Sequence, residues 1–568
     1  MDINKKLGWH LLTYTGIALL FVGCAEFEKR EISVDKPQSI VDQEALDAYD
    51  ELKSYVDYSS QPAFKLGVEL GLADVSNNGV LYRLMQRHFD EISFASSVRH
   101  IDFVGPDGSI ALGAFQAALD RNDSIGMPVY AGHLVSHEQQ QADYLNGLIA
   151  DIYIPGEAGS TVVVDFENDD FGTSYPVFGE GSGVIIDDPD GESGKTLNML
   201  GPQTFPQFQI TLPEGLTLAN CQSVSIDFKG GGCCGLYGAG MRLAVSENFG
   251  PVDLTSYDSP SSFGVADGQW TRSAIILPFA NLNLTDEQKE LTSFVLTIGS
   301  ATGSADYLMD NVTIQWEETG ETIIKTPEEK TNIITAELDK WIKGVGEVGK
   351  DRVQAWGVVY QPMDDANPTE LRSGHTTDTP PANTFFWQDY LGKDYAATAI
   401  GMIKQYANAD AQIFFTETGL DNNPAKIQGL MDFITYTEGK GVTVDGIATE
   451  LALDITADKA KIETMLQNLA TTGKLIKIAG LDIGTGGTTG QATPELYQQQ
   501  AEMYKWFVEA YMNHIPADQR AGITFRSPTD RSGSAGWRPN EPVGLWTNAN
   551  GYQRKPAYRG VLEALQRQ

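Results

Sequence analysis

Phe64-Lys65-Leu66-Gly67-Val68 is a short β-rich run, and residues 79–89 after it form an amphipathic helical stretch. A strand followed by a helix is one βα unit, and its repetition indicates an α/β fold. The rhythm stops near Pro155 and resumes near Thr326, where Ile334, Leu338, Trp341, Ile342 and Val345 share one face of a predicted helix over residues 331–346. It continues through strands predicted at residues 411–415, 441–453, 475–483 and 521–525. Eight such strands match a (β/α)8 TIM barrel, where function sits at the C-terminal ends of the strands.

The interruption differs in composition. Residues 157–320 are rich in Gly, Ser, Thr and Asp, with short alternating runs such as Val162-Val163-Val164-Asp165-Phe166 and Ser223-Val224-Ser225-Ile226-Asp227-Phe228. This spacing predicts an all-β sandwich inserted into a barrel loop. The expected order is a tether over residues 25–60 with a short helix near 44–55, barrel over 61–156, sandwich over 157–320, and barrel again over 321–568.

With 568 residues, 41% hydrophobic, the chain can build two or three cores, which excludes a disordered protein. Its 76 Asp and Glu against 40 Lys and Arg give a net charge of −36. Such a charge repels phosphate backbones and anionic lipid, so nucleic acid is not expected as a partner. A neutral polymer meets no such repulsion, and 22 Tyr, 24 Phe and 9 Trp provide flat faces for sugar rings.

Lys5 and Lys6 precede an apolar run over residues 11–22 that ends at Gly23-Cys24. The run is too short to span a bilayer and resembles a lipoprotein signal peptide, which implies export and lipidation of Cys24. Glu26 and Glu28 resemble a surface-export signal. The expected location is the outer membrane, facing the cell surface, with membrane contact only through the lipid. Of Cys221, Cys233 and Cys234, one disulfide and one free thiol is the simplest outcome, and no CxxC or His-rich spacing indicates zinc or iron.

Several segments together resemble family 10 glycoside hydrolases, the endo-β-1,4-xylanases. Besides Phe64-Lys65-Leu66-Gly67 and Phe89-Asp90-Glu91, Gly132-His133-Leu134-Val135-Ser136-His137 resembles GHTLVWH with one residue fewer. Trp356-Gly357-Val358-Val359-Tyr360-Gln361-Pro362 resembles WDVVNEP, and Ile476-Lys477-Ile478-Ala479-Gly480-Leu481-Asp482-Ile483 resembles VRITELDI. Phe386-Trp387-Gln388-Asp389-Tyr390 and Gly536-Trp537-Arg538-Pro539 match further segments. The resemblance implies a barrel over residues 64–156 and 326–568.

Retaining glycosidases need two carboxyl groups, one to protonate the leaving oxygen and one to attack the anomeric carbon. The resemblance places Gln361 at the acid/base position and Gly480 at the nucleophile position. Gln has no proton to transfer and Gly no nucleophile, so no catalytic residue is assigned. The family's Asn and Lys after the second strand correspond to Ser96 and Arg99, its LVWH Trp to Ser136, and the Asn before the acid to Tyr360. Its Gln and His after the sixth strand correspond to Glu450 and Ala452, and its Trp after the eighth to Arg526. The resemblance thus implies a barrel kept for its fold rather than its reaction.

The sandwich resembles carbohydrate-binding modules inserted at the same loop, opening with Asp165-Phe166-Glu167 and closing with Asp310-Asn311-Val312-Thr313. Similar modules hold a structural calcium, which makes Glu167 and Asp310 candidate ligands, plain surface acids being the alternative. No other cofactor is expected. Candidate glycan contacts are Ser96, Arg99, His133, His137, Tyr360, Gln361, Glu450, Arg526 and Trp537 in the barrel and Tyr237 and Trp270 in the sandwich. Trp387 and Asp482 are read as packing and hydrogen-bonding residues. The expected function is a surface lipoprotein that captures xylan or xylo-oligosaccharides, with an outer-membrane transporter complex as a possible partner. The rivals are a xylanase using displaced carboxylates such as Glu417 and Glu450, and a non-glycan scaffold of an outer-membrane complex.

Overall fold

The computed structural model describes residues 36–567 except 95, 97, 176–182, 202–206, 231–240, 251–254, 259–267, 301–304, 377–380, 534–536 and 549–550. The chain divides into two compact units, Met1–Leu148 with Lys330–Gln568, and Ile149–Glu329.

The first unit is a closed barrel of eight strands in chain order: β1 Lys65–Glu69, β2 Glu91–Ser93, β3 Val129–Val135, β4 Ala355–Tyr360, β5 Gln412–Thr418, β6 Gly446–Asp454, β7 Leu475–Gly484 and β8 Arg520–Phe525. All pairings are parallel, and β1 with β8 closes the ring through Lys65↔Gly522 and Leu66↔Ile523. β3 is buried along its whole length and β7 at all but its first residue. They read as near-continuous apolar runs because helices cover the sheet outside and side chains fill it inside. Inside, Tyr130 and Phe414 pack edge to face at 5.8 Å within a ring of Ala355, Ala448, Ala479 and Ala521. Alternating large and small residues fill the barrel as a solid core. Gly357 is small for the same reason: a Cβ there would stand 2.6 Å from the Tyr130 hydroxyl.

The helix predicted at residues 331–346 spans Pro327–Gly349 and buries Ile334, Leu338, Trp341, Ile342 and Val345, as its period requires. Trp341 Nε1 donates to Leu134 O at 2.9 Å, which ties this face to β3. The helix expected near residues 44–55 is two pieces, Gln38–Asp47 and a 3-10 turn at Leu52–Tyr55, with Pro37 before the first and Asp50 between them. Among the described residues no helix is long and apolar enough to cross a membrane.

The second unit holds a seven-stranded and a four-stranded sheet, antiparallel throughout. Its core takes Ile185, Leu197, Val224, Ile226, Phe228 and Ile314 from the larger sheet and Phe208, Ile210, Phe294 and Leu296 from the smaller. Alternation along each strand sends these residues to one buried face, which makes a sandwich. A ribbon of Ile152–Ile154 with Glu321–Ile323 lies outside both sheets and extends this unit beyond residues 157–320. Cys221 is buried and free, while Cys24, Cys233 and Cys234 lie outside the described residues.

Candidate functional site

Loops and strand ends at the C-terminal mouth of the barrel enclose a cleft of about 590 Å³. Ser96, Arg99, His133, Tyr360, Gln361, Glu450, Arg526 and Trp537 all line it. Of the other three candidates, two are described residues. His137 is buried beside it, its ring stacked on Phe386 at 5.6 Å, and burial with the nearby Arg372 pushes its pKa down to about 4. Trp270 belongs to the sandwich, and Tyr237 lies outside the described residues.

The floor is built around Arg526. Glu450 on β6 pairs directly with Gly480 on β7. With no side chain at 480, the space above it is taken by the guanidinium of Arg526: a Cβ there would stand 3.0 Å from Nε and 3.1 Å from Nη2. Arg526 Nη2 forms an ion pair with Glu450 Oε2, and its Nε lies 3.6 Å from Glu69 Oε2. Their side chains are only 13%, 7% and 8% exposed, for Arg526, Glu450 and Glu69 respectively. Charges buried this deeply persist only when paired.

The other contacts complete the cluster. Tyr360 Oη donates to Glu450 Oε2 at 3.2 Å, and His133 Nε2 lies 3.3 Å from Glu450 Oε1. The His133 and Tyr360 rings are 3.7 Å apart between centroids. Ser96 Oγ donates to Glu69 Oε1, and Arg99 is engaged by Asp102 at 2.7 Å. The Gln361 side chain turns toward β5, donating to Thr418 Oγ1 at 2.8 Å and Tyr360 Oη at 3.3 Å. His133 and Gln361 adopt positive φ, 63° and 48°, a conformation unusual for residues with a Cβ and often found at functional sites.

This geometry separates the two glutamates. Burial pushes the Glu69 carboxyl up, Arg526 offsets part of that, and Glu450 adds to it, leaving Glu69 at about 7. Burial also pushes Glu450 up, but Arg526 and His133 outweigh it and hold it at about 2. One carboxyl is half-protonated near neutrality and the other is a firm anion.

Trp537 is 42% exposed, and the Arg526 guanidinium packs over its ring at 4.6 Å. Its Nε1 donates to Asp482 Oδ2 at 2.6 Å, and Asp482 also accepts from Ser527 N and Oγ at 3.0 and 3.1 Å. Asp482 therefore acts as a buried acceptor that fixes the indole. Trp387 is fully buried, donating Nε1 to Gln140 Oε1 at 3.1 Å.

Glu417 and Glu450 do not face one cleft. Thr418 pairs with Glu450 and lines the cleft, so its neighbour Glu417 points to the opposite side of β5. There Glu417 accepts from Met363 N at 2.9 Å and Lys426 Nζ at 3.0 Å. It holds the loop after β4. Glu69, which does face the cleft, stands two residues beyond Gly67 on the same face of β1. The alternation of that strand was the available signal for it. Arg531 also lines the cleft and follows β8 in a loop with no period to mark it.

In the sandwich, Trp270 Nε1 donates to Asp188 Oδ2 at 2.9 Å, and Arg272 packs over its ring at 5.1 Å. Arg272 therefore takes one face of the Trp270 ring, as Arg526 takes one face of Trp537, and Trp270 is the less exposed of the two. Glu167 accepts from Lys195 N at 3.0 Å, and Asp310 from Ser193 Oγ at 2.6 Å and Asn311 N at 2.7 Å. Among the described residues no group of three or more His, Cys, Asp or Glu is arranged to hold a metal ion. Burial, with Glu167 and Asp227 nearby, pushes Asp310 up to about 6.

The sequence model of glycosyl hydrolase family 10 matches residues 300–564. The chain is 24% identical over 236 residues to endo-1,4-beta-xylanase A of Thermoanaerobacterium saccharolyticum, covering 41% of this chain and 18% of that protein. It is 24% identical over 232 residues to endo-beta-1,4-xylanase Xyn10C of Cellvibrio japonicus, covering 38% of this chain and 37% of that protein. The chain thus spans well under half the length of these curated relatives. Xylanase B from Clostridium stercorarium F9 shares the fold at a TM-score of 0.50 and 12% identity, over 91% of this chain and 100% of that one. Residues 300–564 thus match the glycosyl hydrolase family 10 domain, and the first unit has the closed eight-stranded barrel.

Proposed function

We propose that the protein is a lipid-anchored surface protein that binds xylan in the barrel cleft without cleaving it and passes it to an outer-membrane uptake complex. The observation that carries the reading is the Arg526 guanidinium in the space above Gly480, locked to Glu450. A glycosidase nucleophile there would face a developing positive charge on the sugar, and a guanidinium in its place opposes that charge. Gln361 can hydrogen-bond a glycosidic oxygen but cannot protonate it. The cleft still offers what a sugar needs, a half-exposed indole and a mixture of donors and acceptors.

Two measurements on the same protein test this. A xylan affinity gel should retain it, and incubation with xylan should release no reducing ends. Loss of retention favours the non-glycan scaffold, and sustained release overturns the non-catalytic reading. Introducing both Gln361→Glu and Gly480→Glu should leave the protein inactive, because Arg526 still fills the site. Cys24→Ala should move the protein from the membrane fraction to the soluble one, and persistent membrane association would sink the anchor.

A second reading draws on the opposed protonation of Glu69 and Glu450, the pattern of an acid paired with a nucleophile. Sustained turnover that Glu69→Gln abolishes would establish it. The ion pair to Arg526 engages the Glu450 oxygen that would have to attack, which is why binding is preferred.

A structural calcium at Glu167 and Asp310 belongs to the same proposal. Asp310 is raised by burial first and then by Glu167 and Asp227, and a cation would relieve the repulsion among these carboxylates.

A further inference from the structure

The rim of the cleft holds a cation with no carboxylate of its own. Arg531 is exposed, lines the cleft, and donates Nε to Trp537 O at 3.3 Å. The other cations at this mouth are engaged: Arg526 by Glu450 and Glu69, Arg99 by Asp102, and Arg538 by Asp454 and Glu541. The acids closest in sequence are taken too, Asp530 by Lys555 and Glu541 by Arg538. Among the described residues Arg531 is in no ion pair. In a chain of net charge −36, an uncompensated guanidinium at a cleft is not expected from composition. The cleft's other acids, Glu138 with His137 Nε2 at 3.7 Å and Asp421 accepting from Asn422 Nδ2 at 2.8 Å, come from the loops after β3 and β5 rather than from the β8 loop.

The chemistry of this corner is specific. Because a carbonyl engages Nε, the Nη1 and Nη2 edge remains for a planar anion, and that edge grips a carboxylate through two parallel hydrogen bonds. Trp537 beside it presents a partly exposed ring. The floor, by contrast, has its guanidinium, Arg526, already engaged by Glu450 and Glu69. A carboxylate on the ligand therefore finds its open guanidinium edge at the rim rather than below.

We propose that Arg531 and Trp537 form a subsite for a uronic acid branch on the xylan chain, the sugar ring on the indole and its carboxylate on the guanidinium. This rests on the glycan-binding reading above and adds the class of decoration. The neutral backbone lies deeper in the cleft.

The test is calorimetric titration of the full chain with xylotetraose and with the same oligosaccharide bearing one glucuronosyl branch. The branched ligand should bind about tenfold tighter at low salt, with the advantage shrinking as salt is raised. Arg531→Gln should bring both ligands to the same affinity and remove the salt dependence, while Arg531→Lys should keep part of both. Equal affinity of the two ligands for the wild-type protein overturns this inference alone, as does a preference that survives Arg531→Gln. Failure of both ligands to bind the wild-type protein overturns it together with the reading it rests on.

Discussion

At the barrel mouth Glu69 and Glu450 share the guanidinium of Arg526, whereas in the sandwich Asp227 and Asp310 have unequal partners. Asp227 accepts from Arg272 at 3.0 Å and Ser273 N at 2.7 Å, and Asp310 accepts only from neutral donors. Both clusters bring carboxylates together away from water, and in both the carboxyl farther from the cation is raised, Glu69 to about 7 and Asp310 to about 6. Burial is the first cause of both shifts, and at the barrel mouth Arg526 offsets part of it. The difference lies in exposure. The Arg526 side chain is 13% exposed and that of Arg272 is 45%, so water screens the sandwich cluster and not the cleft.

The sharpest way to break this comparison is to remove each arginine. Arg526→Ala leaves Glu450 buried without its partner and should cost about 3–5 kcal/mol in urea unfolding. Arg272→Ala should cost about 1 kcal/mol or less. Equal costs would mean that exposure is not what separates the two clusters.

A pH series gives a somewhat smaller effect. Glu69 rises from 4.5 to about 7 on folding, so the folded state favours its protonated form. That stabilisation is full below about pH 4.5 and is lost as pH rises through 7, roughly 3 kcal/mol in all. Glu450 works with the opposite sign: its folded value of about 2 gives stability that is present above 4.5 and lost as pH falls toward 2. Glu69→Gln should flatten the stability profile between pH 4.5 and 7 and leave the acid limb, and an unaltered profile would show that Glu69 is not the group responsible.

Calcium probes the sandwich side. At a hundredfold excess over its dissociation constant, a bound cation should stabilise the protein by about 2.7 kcal/mol, raising the midpoint of the sandwich by a few degrees. Asp310→Asn should abolish the response. No response of the wild-type protein would leave Glu167 and Asp310 as plain hydrogen-bonding acids. The smallest effect belongs to Trp537→Ala. It should lower xylo-oligosaccharide affinity by about 0.5–1.5 kcal/mol, up to roughly tenfold, and affect stability by less than that because the ring is 42% exposed.

The barrel strands were legible because each carries a short β-rich run followed by a helical period, and residues 475–483 were predicted almost to the ends of β7, Leu475–Gly484. Most of the cleft was legible too, since Gln361 and Arg526 follow recognisable strands and Glu450 lies within one. Glu69 was missed because β1 was read as ending one residue early, at Val68. Glu417 was paired with Glu450 because both end neighbouring strands, but the alternation of β5 turns Glu417 outward onto Lys426. Trp270 was read as a candidate platform or a core residue, and composition cannot reveal that Arg272 packs over its ring.

The amino-acid order by itself determined the barrel and the all-β insertion. These are local facts of period and residue type, and they hold whatever lies across the fold. Only the tertiary structure decided that Arg526 fills the space above Gly480, that Glu69 joins Glu450 on the same guanidinium, and that Arg531 stands at the rim with no ion-pair partner among the described residues. Those depend on strands one, six, seven and eight meeting at one mouth. Burial and Coulomb energy are properties of distance in space, which closure of the barrel sets and sequence separation does not.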